Sequence, residues 1–205
     1  MFKRNSTMRK FLASLIFTGL ITMGQSAWAI PITGTIAFGG AGTSVPAANW
    51  YQSTGVNFVN PWGVVSTSGA YGAVPLFTLT TFTNFNWGAG SGVVNVALAQ
   101  NIWTFTLGGF TYKLDVGTVD NINRGNSLND NISVVGSGTL SITGLGSPYD
   151  PTAGTWSFTA GNTQGGVPNL SFSSGSSPIP EPATLSLLAL GVAGLGLSRR
   201  LRKTK

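Results

Sequence analysis

The chain has 205 residues, with 11 Lys and Arg against 5 Asp and Glu and no His, a formal net charge of +6. The basic surplus sits at the two ends, Lys3, Arg4, Arg9 and Lys10 at one and Arg199, Arg200, Arg202, Lys203 and Lys205 at the other. Residues 30–177 hold only Lys113 and Arg124 against Asp115, Asp120, Asp130 and Asp150. This excludes a nucleic-acid partner, because holding a phosphate backbone takes clustered Lys and Arg.

The first segment reads as a secretory signal. Lys3, Arg4, Arg9 and Lys10 form a positive region, Phe11 to Met23 an apolar one too short for a comfortable transmembrane helix, and Ala27-Trp28-Ala29 a small-x-small cleavage pattern. Residues 1–29 are therefore expected to be a signal-peptide helix handed to the general secretion machinery, with Ala27 and Ala29 marking the cleavage site and Ile30 the mature N-terminus. Met8 would serve equally as a start, since Arg9 and Lys10 suffice as the positive region.

The body, residues 30–172, must fold without disulfides, because the chain has no Cys. Glycines and aromatics interleaved with Ser, Thr and Asn favour short strands and turns over helices. Ile32, Gly34, Ile36 and Phe38 alternate with Thr33, Thr35 and Ala37, the pattern of a half-buried strand. The clearest unit is Trp103 to Leu107, Gly108-Gly109, then Phe110 to Val116. A two-residue primed turn there sets Leu107 against Phe110, Phe105 against Tyr112 and Trp103 against Leu114 on one face, with Thr106 meeting Thr111 and Thr104 meeting Lys113 on the other. Further strands are expected at Leu76 to Phe82, Val93 to Leu98, Ile132 to Val135, Thr139 to Thr143, Thr155 to Thr159 and Leu170 to Ser173. The fold class expected is all-β, a single antiparallel β-sandwich, with an irregular β-barrel as the alternative.

The stretch from Asp115 to Asn131 reads as an Asn- and Asp-rich loop. Its oxygen donors make Asp115, Asp120 and Asp130 weak calcium candidates, although Ile122 and Arg124 occupy positions where an EF-hand loop needs ligands. Trp50, Tyr51, Trp62, Tyr71, Trp87 and Tyr149 lie in Gly-, Pro- and Asn-rich contexts and are candidates for a sugar-stacking platform, against the plainer reading that aromatics of a small β domain fill its core. Catalysis is disfavoured: the chain has no His or Cys, the body has no Glu, and Lys113 falls on the wet face of a strand. No zinc site is expected, and no cofactor, with calcium the one open possibility. An Asp-based glycosidase is the residual enzymatic reading.

Residues 173–179 form a Ser/Gly/Pro linker. Then come Pro180-Glu181-Pro182, an apolar run expected to span a bilayer as a helix over residues 183–198, and a basic end with Arg199, Arg200, Arg202 and Lys203. As a helix the 16-residue run reaches roughly 24 Å, slightly short for a hydrocarbon core, a mismatch that snorkelling Arg residues absorb. Basic residues at both chain ends favour a cytoplasmic position for each, with the body outside. The order Pro-Glu-Pro, short apolar span and Arg cluster in residues 180–205 resembles the PEP-CTERM sorting signal. The body pieces Gly138 to Gly144 and Gly154 to Thr159 look, more weakly, like the segment that precedes such tails.

The resemblance implies that an exosortase, a membrane protease-transpeptidase, recognises Pro180, Glu181 and Pro182 and processes the tail. It also implies export by a Gram-negative bacterium that makes exopolysaccharide, with transient inner-membrane anchoring on the way to the envelope, surface or biofilm matrix. The function expected is a non-enzymatic structural or adhesive role there. A carbohydrate-binding module for a surface polysaccharide is the alternative.

Overall fold

The computed structural model describes residues 30–46, 49–162 and 168–176. The expected signal peptide, the Pro-Glu-Pro motif, the apolar run expected to span a bilayer and the basic end all lie outside these residues. In chain order the strands are β1 (Ile30–Pro31), β2 (Gly34–Val45), β3 (Gly55–Thr67), β4 (Leu79–Phe82), β5 (Phe85–Asn86), β6 (Gly92–Leu107), β7 (Phe110–Arg124), β8 (Asn131–Thr143), β9 (Tyr149–Asp150), β10 (Thr152–Asn162) and β11 (Pro168–Ser176). A short 3-10 turn, Gly69–Tyr71, follows β3. No helix among the described residues is long and apolar enough to cross a membrane.

The strands pair in the order β2-β11-β10-β8-β7-β6-β4-β3, and β3 pairs back onto β2, so the sheet closes into an eight-stranded barrel. Every pairing in that wall is antiparallel. This corrects the expected sandwich in favour of the barrel. Alternation is the same in both, since each strand buries one face either way. What decides is that β2 pairs with the last strand of the body and with the strand that follows it, a non-local event that closes both sheet edges.

A barrel of this size has an interior just wide enough to be filled by side chains. Here the filling is aromatic: Phe38, Trp62, Trp103, Phe158 and Phe172 are wholly enclosed, and Phe38 lies 5.2 Å from Phe82 and 5.0 Å from Trp103 between ring centroids. Large rings need small residues beside them. A Cβ on Gly40 would fall 2.4 Å from the Trp62 ring, and one on Gly136 would fall 2.6 Å from Trp156 and 2.0 Å from the Thr118 carbonyl. Tyr71 and Val74, on the connection between β3 and β4, plug one end. The Tyr71 ring stands 6.2 Å from that of Tyr112, and burial, then the neighbouring Tyr112, raises its hydroxyl well above the ordinary tyrosine value.

The hairpin of β6 and β7 has the expected register, Trp103 opposite Leu114, Phe105 opposite Tyr112 and Leu107 opposite Phe110. Gly108 and Gly109 both adopt positive φ, 59° and 84°, as a primed turn requires. Bulges in this pair, one between Asn101 and Trp103, bring the consecutive Ile102 and Trp103 both into the interior.

Elsewhere the sequence reading is revised. The strands expected at Ile132 to Val135 and Thr139 to Thr143 are one strand, β8. The strand expected from Leu76 starts only at Leu79. Most of the expected Asp115–Asn131 loop is strand, since β7 runs to Arg124. Ser173 to Ser176, expected to open the linker, pair with β2 from Ala37 to Gly34.

Candidate functional site

Antiparallel strands of even parity put the start of β2 and the finish of β11 at the same end of the barrel, where Ser176 pairs with Gly34 and its hydroxyl bonds the Ile32 carbonyl. The tail therefore leaves from the end that also carries Ile30, the Gly69–Tyr71 turn and the Gly108-Gly109 turn. At the opposite end lie the connections from β2 to β3, from β5 to β6 and from β7 to β8.

That opposite end is held by two ionised side chains that look like loop residues in the sequence. The Arg124 guanidinium donates to four carbonyls: Gly90 through Nε at 2.9 Å, Tyr51 at 3.1 Å and Ser53 at 2.5 Å through Nη1, and Gly88 through Nη2 at 2.9 Å. Partial burial lowers its pKa from the ordinary arginine value. The Asp130 carboxylate accepts from the Trp50 and Tyr51 amides at 2.5 and 3.1 Å and from Asn162 Nδ2 at 2.5 Å. One residue satisfies carbonyls and the other amides of the same 50–53 segment, so the pair fixes that connection without touching each other. Composition alone gives no signal for this, because the partners are backbone atoms about 70–80 residues away.

The calcium candidates are not brought together. Asp115 bonds Lys113 Nζ at 2.7 Å and accepts from Asn101 Nδ2 at 3.1 Å. Burial pushes its carboxyl upward, but the hydrogen bonds from Lys113 and Asn101 and the Lys113 charge outweigh this and hold it below the usual carboxylate range. Asp120 accepts from the Thr118 hydroxyl at 2.5 Å, and Asp130 is engaged as above. No group of three acidic side chains with metal-binding spacing occurs among the described residues.

The sugar-stacking platform is not formed either. Trp50, Trp62, Tyr71 and Trp87 are buried in the interior, with Trp62 Nε1 on the Ala41 carbonyl and Trp87 Nε1 on that of Ser53. Only Tyr51 and Tyr149 are partly exposed. What the barrel shows to water on one side is a hydroxyl- and amide-bearing wall. Its outward residues fall into transverse rows: Asn123, Ser133, Thr159 and Ser171; then Asn121, Val135, Ser157 and Ser173; then Thr118, Ser137, Thr155, Gly175 and Thr35. Neighbours within a row bond each other, Ser157 to Ser173 at 2.8 Å and Thr118 to Ser137 at 2.6 Å. This wall is apolar inside and hydroxylic outside, whereas β3, β4 and β6 expose Val59, Val65, Leu79, Val93 and Val96.

The model of the PEP-CTERM protein-sorting motif matches residues 178–203. The chain carries a PEP-CTERM sorting signal. No curated protein and no solved structure matches the chain. The match begins two residues beyond Ser176, so the PEP-CTERM motif follows directly on the last strand of the barrel. This signal marks an exported protein processed by an exosortase and directed to the cell envelope or surface. Pro180, Glu181 and Pro182 fall within the matched segment, as do Arg199, Arg200, Arg202 and Lys203.

Proposed function

We propose that the mature protein is a non-enzymatic structural or adhesive component of the envelope or extracellular matrix, with the barrel as a filled scaffold and its hydroxyl-rich wall as the contact surface. The observation that carries this reading is the distribution of side chains. Most of the aromatics are consumed by the core, three of the body's four carboxylates by local partners, and the wall of β7, β8, β10, β11 and β2 presents Ser, Thr and Asn to solvent. Neutral hydroxyls suit contact with a hydrated polysaccharide, because they exchange hydrogen bonds with water at little net cost. The absence of His and Cys from the chain and of Glu from its body supports a non-catalytic role. Export begins at the N-terminal signal peptide, and the apolar run over residues 183–198 anchors the chain until the tail is processed. Sedimentation of the secreted protein with the producing cell's own exopolysaccharide tests the adhesive role. Binding that weakens when Ser157 and Ser173 are both replaced by Glu supports it, and absence of co-sedimentation contradicts it.

A further inference from the structure

Among the exposed large apolar side chains, Val59, Val65, Leu79, Val93, Val96 and Val135 lie along the strands and Leu128 at the far end, and the rest gather at one end of the barrel. Leu145 is fully exposed on a turn between Gly144 and Gly146, whose φ values are 147° and 79°. That turn lies beside the Gly108-Gly109 hairpin, since a Cβ on Gly144 would fall 2.5 Å from the Gly109 carbonyl. Ile30 is half exposed next to it and donates to the Pro148 carbonyl. Across the barrel, on the connection that carries the Tyr71 plug, Leu76 is exposed and Phe77 is 78% exposed. All four belong to the end from which the tail leaves.

Phe77 is held there against its own preference. Its φ is +64°, a left-handed conformation that a bulky non-glycine residue disfavours, and its amide is pinned to the Val64 carbonyl at 2.7 Å. A strained backbone that presents a large apolar ring to solvent calls for a partner. The charge pattern agrees: of the six ionisable Asp, Lys and Arg side chains in residues 30–176, only Asp150 lies on this rim, while Arg124 and Asp130 hold the far end and Lys113 and Asp115 neutralise each other on the wall.

The length of chain beyond the barrel names the partner. Ser176 is seven residues from Ala183, where the apolar run begins, so the linker reaches at most roughly 25 Å even fully extended. We propose that this rim rests on the lipid surface while the protein is anchored, with Phe77 and Leu145 entering the headgroup boundary and holding the Pro-Glu-Pro segment at the membrane. The proposal rests on the reading that the run over residues 183–198 spans the bilayer. Tethering at so short a range makes even two shallow insertions count, because the rim meets the surface at a high effective concentration.

The chain has no Cys, so single-site labelling is clean. Full-length protein reconstituted in phosphatidylethanolamine–phosphatidylglycerol vesicles is labelled with an environment-sensitive fluorophore in four separate variants, Phe77→Cys, Leu145→Cys, Leu128→Cys and Leu190→Cys. Leu128 is 91% exposed at the far end and serves as the equally exposed control. The expected result is a blue shift and quenching by lipid-borne spin labels at positions 77, 145 and 190, and neither at 128. Lipid quenching at 190 with positions 77 and 145 as aqueous as 128 overturns the rim contact alone. A blue shift at 77 and 145 without lipid quenching assigns the rim to a protein partner or a second copy, and also overturns it. An aqueous label at 190 removes the anchoring reading, and the rim contact with it.

Discussion

Replacing Arg124 by Met tests whether one guanidinium holds the far end of the barrel. Met keeps much of the apolar stem and removes all four donated hydrogen bonds. The bonds to Gly88 and Gly90 are exposed, and water replaces them at little cost. Those to Tyr51 and Ser53 are partly buried, and charge-assisted bonds of that kind are worth about 1.5–3 kcal/mol each. Discounting for partial access of water leaves a loss of about 3 kcal/mol, a large share of the 5–15 kcal/mol typical of a domain. With a urea m-value near 2 kcal/mol/M, the midpoint should fall by ~1.5 M at unchanged m, followed by tryptophan fluorescence. Arg124→Lys should recover only part of this, because an ammonium cannot reach four carbonyls in one plane. A loss under about 0.5 kcal/mol for Met, the range of ordinary surface substitutions, would refute the reasoning.

Substituting both Gly108 and Gly109 by Val should destabilise the barrel by about 2–4 kcal/mol, since both φ values are positive and β-branched residues resist them; unchanged thermal unfolding would mean the turn tolerates another geometry. Asp115→Asn should flatten a small acid-side slope in stability. The depressed carboxyl pKa contributes stability above its unfolded value that is lost as pH falls through the folded one, and the pair is exposed enough that the whole effect is at most about 1 kcal/mol. Urea midpoints of wild type and variant measured from pH 7 downward should converge at low pH, and parallel curves would contradict the assignment. N-terminal sequencing of exported protein should begin at Ile30, and an intact Met1 or Met8 on that material would overturn cleavage after Ala29.

The hairpin was legible because its register is local: two glycines and an alternating pattern leave one pairing that segregates the faces, and the barrel adopts it. Closure was not legible, because it depends on β2 meeting both β11 and β3, and no residue in β2 distinguishes a sheet edge from a seam. The strand β3 is not among the expected strands; Asn60, Pro61 and Gly63 interrupt its pattern, yet it spans 13 residues with Trp62 and Val64 facing inward. The Asn- and Asp-rich stretch was misread for a related reason. Bulges after Val116 and Val119 shift the register so that polar residues face outward on a strand, where they resemble a loop by composition. Trp50, Trp62, Tyr71 and Trp87 follow the plainer reading and fill the core, with Gly40 of β2 leaving the room that the Trp62 ring takes. The tail, by contrast, is a contiguous signal, with Pro-Glu-Pro, an apolar run and an Arg cluster in order, and so its residues are recognisable from the sequence alone.

Sorting by an exosortase is tested most directly by the mass of the protein released at the cell surface. The wild type should end near Pro180-Glu181-Pro182 and lack the basic residues Arg199 to Lys205. A variant with Glu181→Gln, Pro180→Ala and Pro182→Ala should stay in the membrane unprocessed, because a helix free to continue through the segment removes the extended site an enzyme needs while leaving the apolar span intact. Mature surface protein that still carries Arg199, Arg200, Arg202 and Lys203 would contradict processing and reduce the tail to an ordinary anchor.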